Sequence, residues 1–148
     1  MTESERAVAL FERGYSCSQA ICQAYGEALG LSQDEAARVA AGFGAGLARS
    51  DQVCGAVSGG VMVLGLAYGG TEPGDAAARE ATYAAVRQFL AEFTAAHGSV
   101  RCTDLLGYNL GSPEEFAAAR EAGIVRERCP GLVRSAGRLL GQVIEGRR

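Results

Sequence analysis

The chain has 148 residues and a net charge of −3, with 48% apolar and 21% charged residues. That is room for one domain with a substantial core, so disulfides are not needed to compensate for a small one. Acids and bases are mixed along most of the chain without a basic stripe, which sets aside a nucleic-acid partner. There is no Trp, and every basic residue other than His97 is Arg; with the heavy use of Ala and Gly this is a compositional bias to which no mechanism is attached.

Helical periodicity dominates from the start. Ala7, Leu10 and Phe11 open an amphipathic helix that ends at Gly14. Tyr15 and Ser16 turn the chain, and Ser18 to Leu29 reads as a second helix closed by Gly30. Ser32, with Glu35 three residues on, makes a capping box for a third helix that runs towards Gly42-Phe43-Gly44-Ala45-Gly46. A polar link (Arg49, Ser50, Asp51, Gln52) leads into an uncharged stretch from Val53 to Tyr68 that contains Gly55, Gly59, Gly60 and Gly65. This stretch falls short of the ~20 residues of a membrane span, and its glycines suit close packing, so it is expected to be a buried central helix. Glycine costs about 1 kcal/mol in a helix relative to Ala, and several in one helix imply close approach by another helix or by a cofactor.

Asp75 is placed to cap a long helix from Ala76 to Ala96, on which Tyr83, Val86, Leu90 and Phe93 form an expected core stripe. Ser112-Pro113-Glu114-Glu115 repeats the capping box with Pro in the first turn. Cys129-Pro130 is read as the start of a final helix carrying Leu132, Val133, Ala136, Leu139, Leu140 and Val143. Arg134, Arg138, Arg147 and Arg148 are read as a solvated face. Alternating apolar–polar runs are missing, so the expected fold is all-α, an irregular bundle of about six to eight helices packed around the Gly-rich one. The acidic N-terminus, Met-Thr-Glu-Ser-Glu-Arg, is unlike a secretory signal, and a cytoplasmic location is expected.

The chemistry is expected at cysteine. In a reducing compartment, metal binding or catalysis outranks a structural disulfide framework. Of the five cysteines, none forms a CxxC pair, so any shared site must be assembled by the fold. Cys17, Cys54, Cys102 and Cys129 each read as standing at a helix start, where unpaired N–H groups and the helix dipole favour thiolate. Gly14, Gly55 and Gly98 leave room for backbone amides to approach a sulfur or a cluster. Cys22, inside the second helix, is read as a small buried hydrophobe. His97, the single histidine, is read as a helix C-terminal cap favouring the charged imidazole, with tuning of Cys102 as the alternative. Gly42 to Gly46 is no dinucleotide loop, because no strand precedes it. No Ser-His-Asp arrangement, His-Glu-x-x-His sequence or phosphate loop is present, and no general acid–base pair marks a metabolic enzyme.

The segment Cys54-Gly55-Ala56-Val57-Ser58-Gly59 resembles the bacterial and archaeal family of redox-active proteins named for its C_GCAxxG_C_C signature. Gly14-Tyr15-Ser16-Cys17-Ser18-Gln19 is similar to its N-terminal cysteine segment, and Gly42 to Gly46 to its small glycine run. Gly98-Ser99-Val100-Arg101-Cys102 with Leu105-Leu106-Gly107 is similar to the third cysteine block, and Cys129-Pro130 to the fourth. The Gly-Cys-Ala order of the name reads Cys54-Gly55-Ala56 here, and Cys22 is additional. The resemblance implies redox activity, a frequent genetic neighbourhood with transporters and hence a membrane transporter as partner, and kinship with a domain of split-Soret dihaem cytochromes in which a comparable cysteine set accompanies an iron–sulfur centre. Haem itself does not fit a chain with no Cys-x-x-Cys-His.

Three functions follow as expectations. In the first, Cys17, Cys54, Cys102 and Cys129 ligate an iron–sulfur cluster, [2Fe–2S] in type, with Gly55 letting backbone amides reach its sulfurs; the module transfers electrons or senses redox state for a partner that the sequence does not name. In the second, pairs of the same cysteines cycle between dithiol and disulfide without metal. In the third, they hold a structural zinc ion in an interaction module. The Gly-rich helix and the alanine-rich faces are compatible with a homodimer.

Overall fold

The computed structural model describes residues 1–147. Its helices are α1 (Glu3–Glu12), α2 (Cys17–Gly26), α3 (Gln33–Val39), α4 (Gly44–Arg49), α5 (Gly55–Tyr68), α6 (Ala76–His97), α7 (Cys102–Leu106), α8 (Pro113–Ala122) and α9 (Ile124–Gly146), with 3₁₀ turns at Glu27–Leu29 and Ala41–Phe43. Among the described residues no strand forms, and the β-type pairing is one isolated antiparallel bridge between Val53 and Arg101. The fold is therefore all-α, with nine helical segments rather than six to eight. No helix among these residues is long and apolar enough to cross a membrane.

Local chemistry sets most helix starts. Thr2 Oγ1 accepts the Glu5 N–H while the Glu5 carboxylate accepts the Thr2 N–H, and Ser16 and Gln19 repeat this reciprocal box at α2. The side chains of Ser32, Asp75 and Ser112 accept N–H groups of Glu35, Ala78 and Glu115, but the boxes expected at Ser32 and Ser112 form only this half: the Glu115 carboxylate accepts the Asn109 N–H instead of the Ser112 one. Gly98, at φ 84°, ends α6 in the left-handed conformation that costs a side-chain-bearing residue most.

Helix α5 sits at the centre, packed against α2, α6 and α9. Its Ala56, Val57, Val63 and Leu64 are fully buried, and its glycines set how close the neighbours come. A Cβ on Gly59 would lie 2.9 Å from the Ser18 carbonyl oxygen, and one on Gly60 would lie 2.6 Å from the Phe89 ring. Larger residues would push α2 and α6 outward, which is why the helix tolerates its low intrinsic propensity. Helix α9 closes the bundle along α1, where Ser4 Oγ donates to the Arg134 carbonyl (3.0 Å), while Tyr25 Oη of α2 donates to that of Gly137 (2.5 Å).

Three boundary expectations need correction. The buried line on α6 is Ala85, Phe89 and Phe93, with Val86 and Leu90 half-buried beside it; Tyr83 is 52% exposed. Contact with Gly60 turns Phe89 inward and rotates the stripe away from Tyr83. The last helix begins at Ile124, not at Cys129, and carries Pro130 inside it. Ile124 is buried and Gly123 adopts a left-handed turn, so burial and a sharp bend start the helix before the proline that ordinarily disfavours it. The third helix stops at Val39, and the glycine run forms the 3₁₀ turn and α4 instead of extending it. Arg134, Arg138 and Arg147 are exposed as expected; Arg148 lies outside the described residues.

Candidate functional site

Four separate segments deliver the four signature cysteines to one place. Cys17 is the first residue of α2, held there by the Ser16–Gln19 box. Cys54 is the N-cap of α5, and Cys102 is the first residue of α7. These two are tied together by backbone: the Cys54 N–H donates to the Val100 carbonyl (2.8 Å) and the Cys102 N–H to the Gln52 carbonyl (2.9 Å), on either side of the Val53–Arg101 bridge. An ion pair between Arg101 and Asp51 reinforces the same junction. Cys129 projects from inside α9, where the Arg128 guanidinium donates to the Leu105 carbonyl of the α7 segment (3.0 Å).

All four line a single cavity of about 160 Å³, whose other walls include Phe11, Leu105, Leu106, Leu110 and Leu132. Cys17, Cys54 and Cys102 are buried and Cys129 is half-buried; none of the five cysteines is in a disulfide. Gly55 is part of the wall, and a Cβ there would stand 2.5 Å from the Cys17 sulfur. Gly55 therefore leaves room for the sulfur of Cys17 at the wall of the cavity. A Cβ on Gly46 would likewise stand 2.7 Å from Cβ of Cys102.

The electrostatics single out one sulfur. The Cys54 thiol donates to the Cys17 sulfur and, against the cost of burial, the N–H groups of Ala45, Ser18 and Cys17 add to it, so the Cys17 thiol is drawn down to about 7. Cys54 is pushed well up, because ionising it would break that hydrogen bond, bury a charge and set it beside Cys17. Burial, then the Cys17 and Asp51 charges, lift Cys102 to about 11; burial, then Cys17 and Cys102, lift Cys129 to about 12. A helix start therefore does not by itself make a thiolate. The N–H groups of Cys54 and Cys102 are spent on the bridge, Cys129 is not at a helix start, and a second anion beside Cys17 in an apolar cavity is repelled. Of the four thiols, Cys17 is the one drawn down, and the other three are pushed up.

The segment that supplies the Ala45 N–H is unusual. Ala45, Gly46, Leu47 and Ala48 of α4 have φ/ψ of 56/42°, 67/47°, 65/72° and 55/43°, and Arg49 and Asp51 also have positive φ. This is a left-handed helical turn built mainly from residues that avoid that conformation. Every non-glycine residue with positive φ among those described falls within it, save Asp51 just beyond. Gly46 was a legible signal for an unusual backbone here; nothing in the sequence marked Ala45, Leu47 or Ala48.

Two candidates stand apart from the cavity. Cys22 is fully buried in a small cluster with Ala36 and Ala40, as its reading as a core hydrophobe implies. The His97 ring packs on Phe93 (4.5 Å between centroids) and its Nε2 lies 2.7 Å from Ser135 Oγ. Burial lowers its pKa, so the neutral ring is favoured over the charged cap expected from its position, and it does not line the cysteine cavity.

Among the described residues no three His, Cys, Asp or Glu side chains converge closely enough to hold a single ion as they stand. The four thiols around one cavity are nonetheless the donor type that an iron–sulfur cluster and a four-cysteine zinc ion both take. A family model described as "Putative redox-active protein (C_GCAxxG_C_C)" matches residues 15–143, a span that contains every residue of the cavity from Tyr15's neighbour Ser16 to Leu132. Comparison with curated proteins and with solved structures returned no match.

Proposed function

The chain belongs to the C_GCAxxG_C_C family of redox-active proteins, and from that premise we propose that Cys17, Cys54, Cys102 and Cys129 ligate an iron–sulfur cluster of the [2Fe–2S] type used in electron transfer or redox sensing. The carrying observation is the convergence of four cysteines, from α2, α5, α7 and α9, on one cavity of about 160 Å³. A dithiol switch accounts for two of them and leaves the cavity unexplained. When bound, the cluster supplies one-electron redox chemistry. The chain's part is to present the thiolates, to direct the N–H groups of Ala45 and Ser18 at the Cys17 sulfur, and to shield the site with Leu105, Leu106, Leu110 and Leu132. Amide donors to sulfur and exclusion of solvent are the levers that set a cluster's potential.

Protein purified without oxygen should absorb in the visible beyond its protein bands, and should contain iron and acid-labile sulfide in equal, stoichiometric amounts. Cys54→Ser should bleach it and Cys22→Ser should not. A colourless, iron-free protein that cannot be reconstituted refutes the reading.

The Cys17–Cys54 contact favours a second reading, a dithiol–disulfide couple. The Cys17 thiolate attacks a partner's disulfide and displaces one partner thiolate. The Cys54 sulfur, losing its proton, then attacks the mixed disulfide and releases the partner as a dithiol, so two electrons pass to the partner. This reading requires a fall of two alkylatable thiols on oxidation, in protein without iron, abolished by Cys54→Ser.

A further inference from the structure

The left-handed turn of α4 demands an account of what holds it. Four of its residues, Ala45, Leu47, Ala48 and Arg49, carry side chains that disfavour positive φ. Such backbone persists only where its surroundings over-determine it. The surroundings here are largely the cysteine site. Ala45 lines the same cavity as Cys17, with its N–H toward that sulfur. Gly46 lies against Cys102, and its carbonyl accepts the N–H groups of Ser50 (3.3 Å) and Gln52 (3.0 Å). Gln52 in turn receives the Cys102 N–H. The far end is pinned more loosely, by the Arg49 guanidinium over the Phe116 ring (4.3 Å) and by Arg101 on Asp51. The turn displays Leu47 at 44% exposure, followed by Val53 at 38%, so a change in it alters an apolar surface beside the site.

We propose that this turn is a conformational switch latched by the cysteine site: Cys17 sulfur and Cys102 hold residues 45–49 left-handed, and loss of the sulfur acceptor releases them towards ordinary right-handed backbone, moving Leu47 and Val53. The proposal rests on Cys17 acting as an electron-rich sulfur in the site, as both readings of the function require, but it does not depend on which reading holds. Because coupling is reciprocal, the strain in the turn also bears on how tightly the site holds its occupant. The state of the site is thereby reported at the surface without any helix of the bundle having to move.

The test is amide hydrogen exchange, read by mass spectrometry on the full chain, with iron and sulfide assayed on each sample. In Cys17→Ala, which removes the acceptor at little change of volume, the amides of Ala45, Ser50 and Gln52 should exchange faster by about tenfold or more while those of α6 are unchanged. Cys22→Ala should leave the turn as in the parent. Ala48→Gly, which eases the left-handed backbone without touching a cysteine, should slow exchange of the turn and, combined with Cys17→Ala, restore part of its protection. Unchanged exchange in a folded Cys17→Ala protein, or equal acceleration of turn and α6, overturns the latch; so does an Ala48→Gly variant whose turn exchanges faster than the parent. Iron-free samples whose turn still answers to Cys17 retain the latch and count against the cluster alone; iron-loaded samples whose turn does not answer retain the cluster and refute the latch.

Discussion

Replacing Ala48 by glycine should stabilise the protein, contrary to what the same change does almost anywhere else in a helix. Ala48 has φ 55° and ψ 43° and its side chain is exposed, so removing the methyl group forfeits almost no burial. An L-residue in this conformation costs roughly 1–2 kcal/mol, and glycine none. Against that, glycine gives the unfolded chain extra freedom worth roughly 0.5–1 kcal/mol. The net gain is up to about 1.5 kcal/mol, centred at about 0.75, which in a chain of this size raises Tm by about 2–3 °C at that centre. Ala91→Gly is the control: Ala91 is exposed in the middle of right-handed α6, and the same change there should cost about 1 kcal/mol. The assay is urea and thermal unfolding followed by circular dichroism, with all proteins in the same ligation state. The difference in sign carries the argument. If both glycines destabilise by similar amounts, residues 45–49 are not held left-handed in solution, and the latch falls with them.

Other outcomes follow from the same geometry. Gly60→Ala should destabilise by about 1–3 kcal/mol through overpacking, because its Cβ would meet the Phe89 ring at 2.6 Å, whereas Gly65→Ala, with nothing within 4 Å, should be neutral or stabilising by up to about 1 kcal/mol; paired urea curves distinguish them. Gly55→Ala should displace the Cys17 sulfur, 2.5 Å from the added carbon, and abolish visible absorbance in protein that still folds by circular dichroism. Burial holds the His97 pKa below its ordinary 6.5. Its contribution to stability is therefore full above that value and lost as the pH falls from it towards the folded-state pKa, since the unfolded chain takes up the proton first. His97→Gln should flatten the urea midpoint over that acidic window, and an unchanged slope would show that His97 is not the group responsible.

How much of this was readable depended on the kind of signal. Caps at Ser32, Asp75 and Ser112 were legible because a side chain three residues from its N–H partner carries its own geometry. The central place of α5 followed from glycines that no isolated helix would choose. The α6 stripe was misplaced by part of a turn, since helical spacing identifies an apolar face but the contact between Gly60 and Phe89, 29 residues apart in the chain, decides which edge of it faces inward. The start of α9 was misread because Pro130 is a strong local breaker, overridden by burial of Ile124 and Leu132 on one continuous face.

The amino-acid sequence by itself determined that the protein is all-α, that its glycines serve close packing, and that Cys17, Cys54, Cys102 and Cys129 are set apart from the buried Cys22 as the signature cysteines. These follow from periodicity, propensity and motif, all of which act over a few residues. Only the tertiary structure decided that four distant cysteines share one cavity, that Cys17 is the one whose thiol is drawn down, and that its neighbour Ala45 belongs to a left-handed turn. Charge repulsion in an apolar space and backbone strain held by distant contacts are properties of the assembled chain, and no local pattern of residues encodes them.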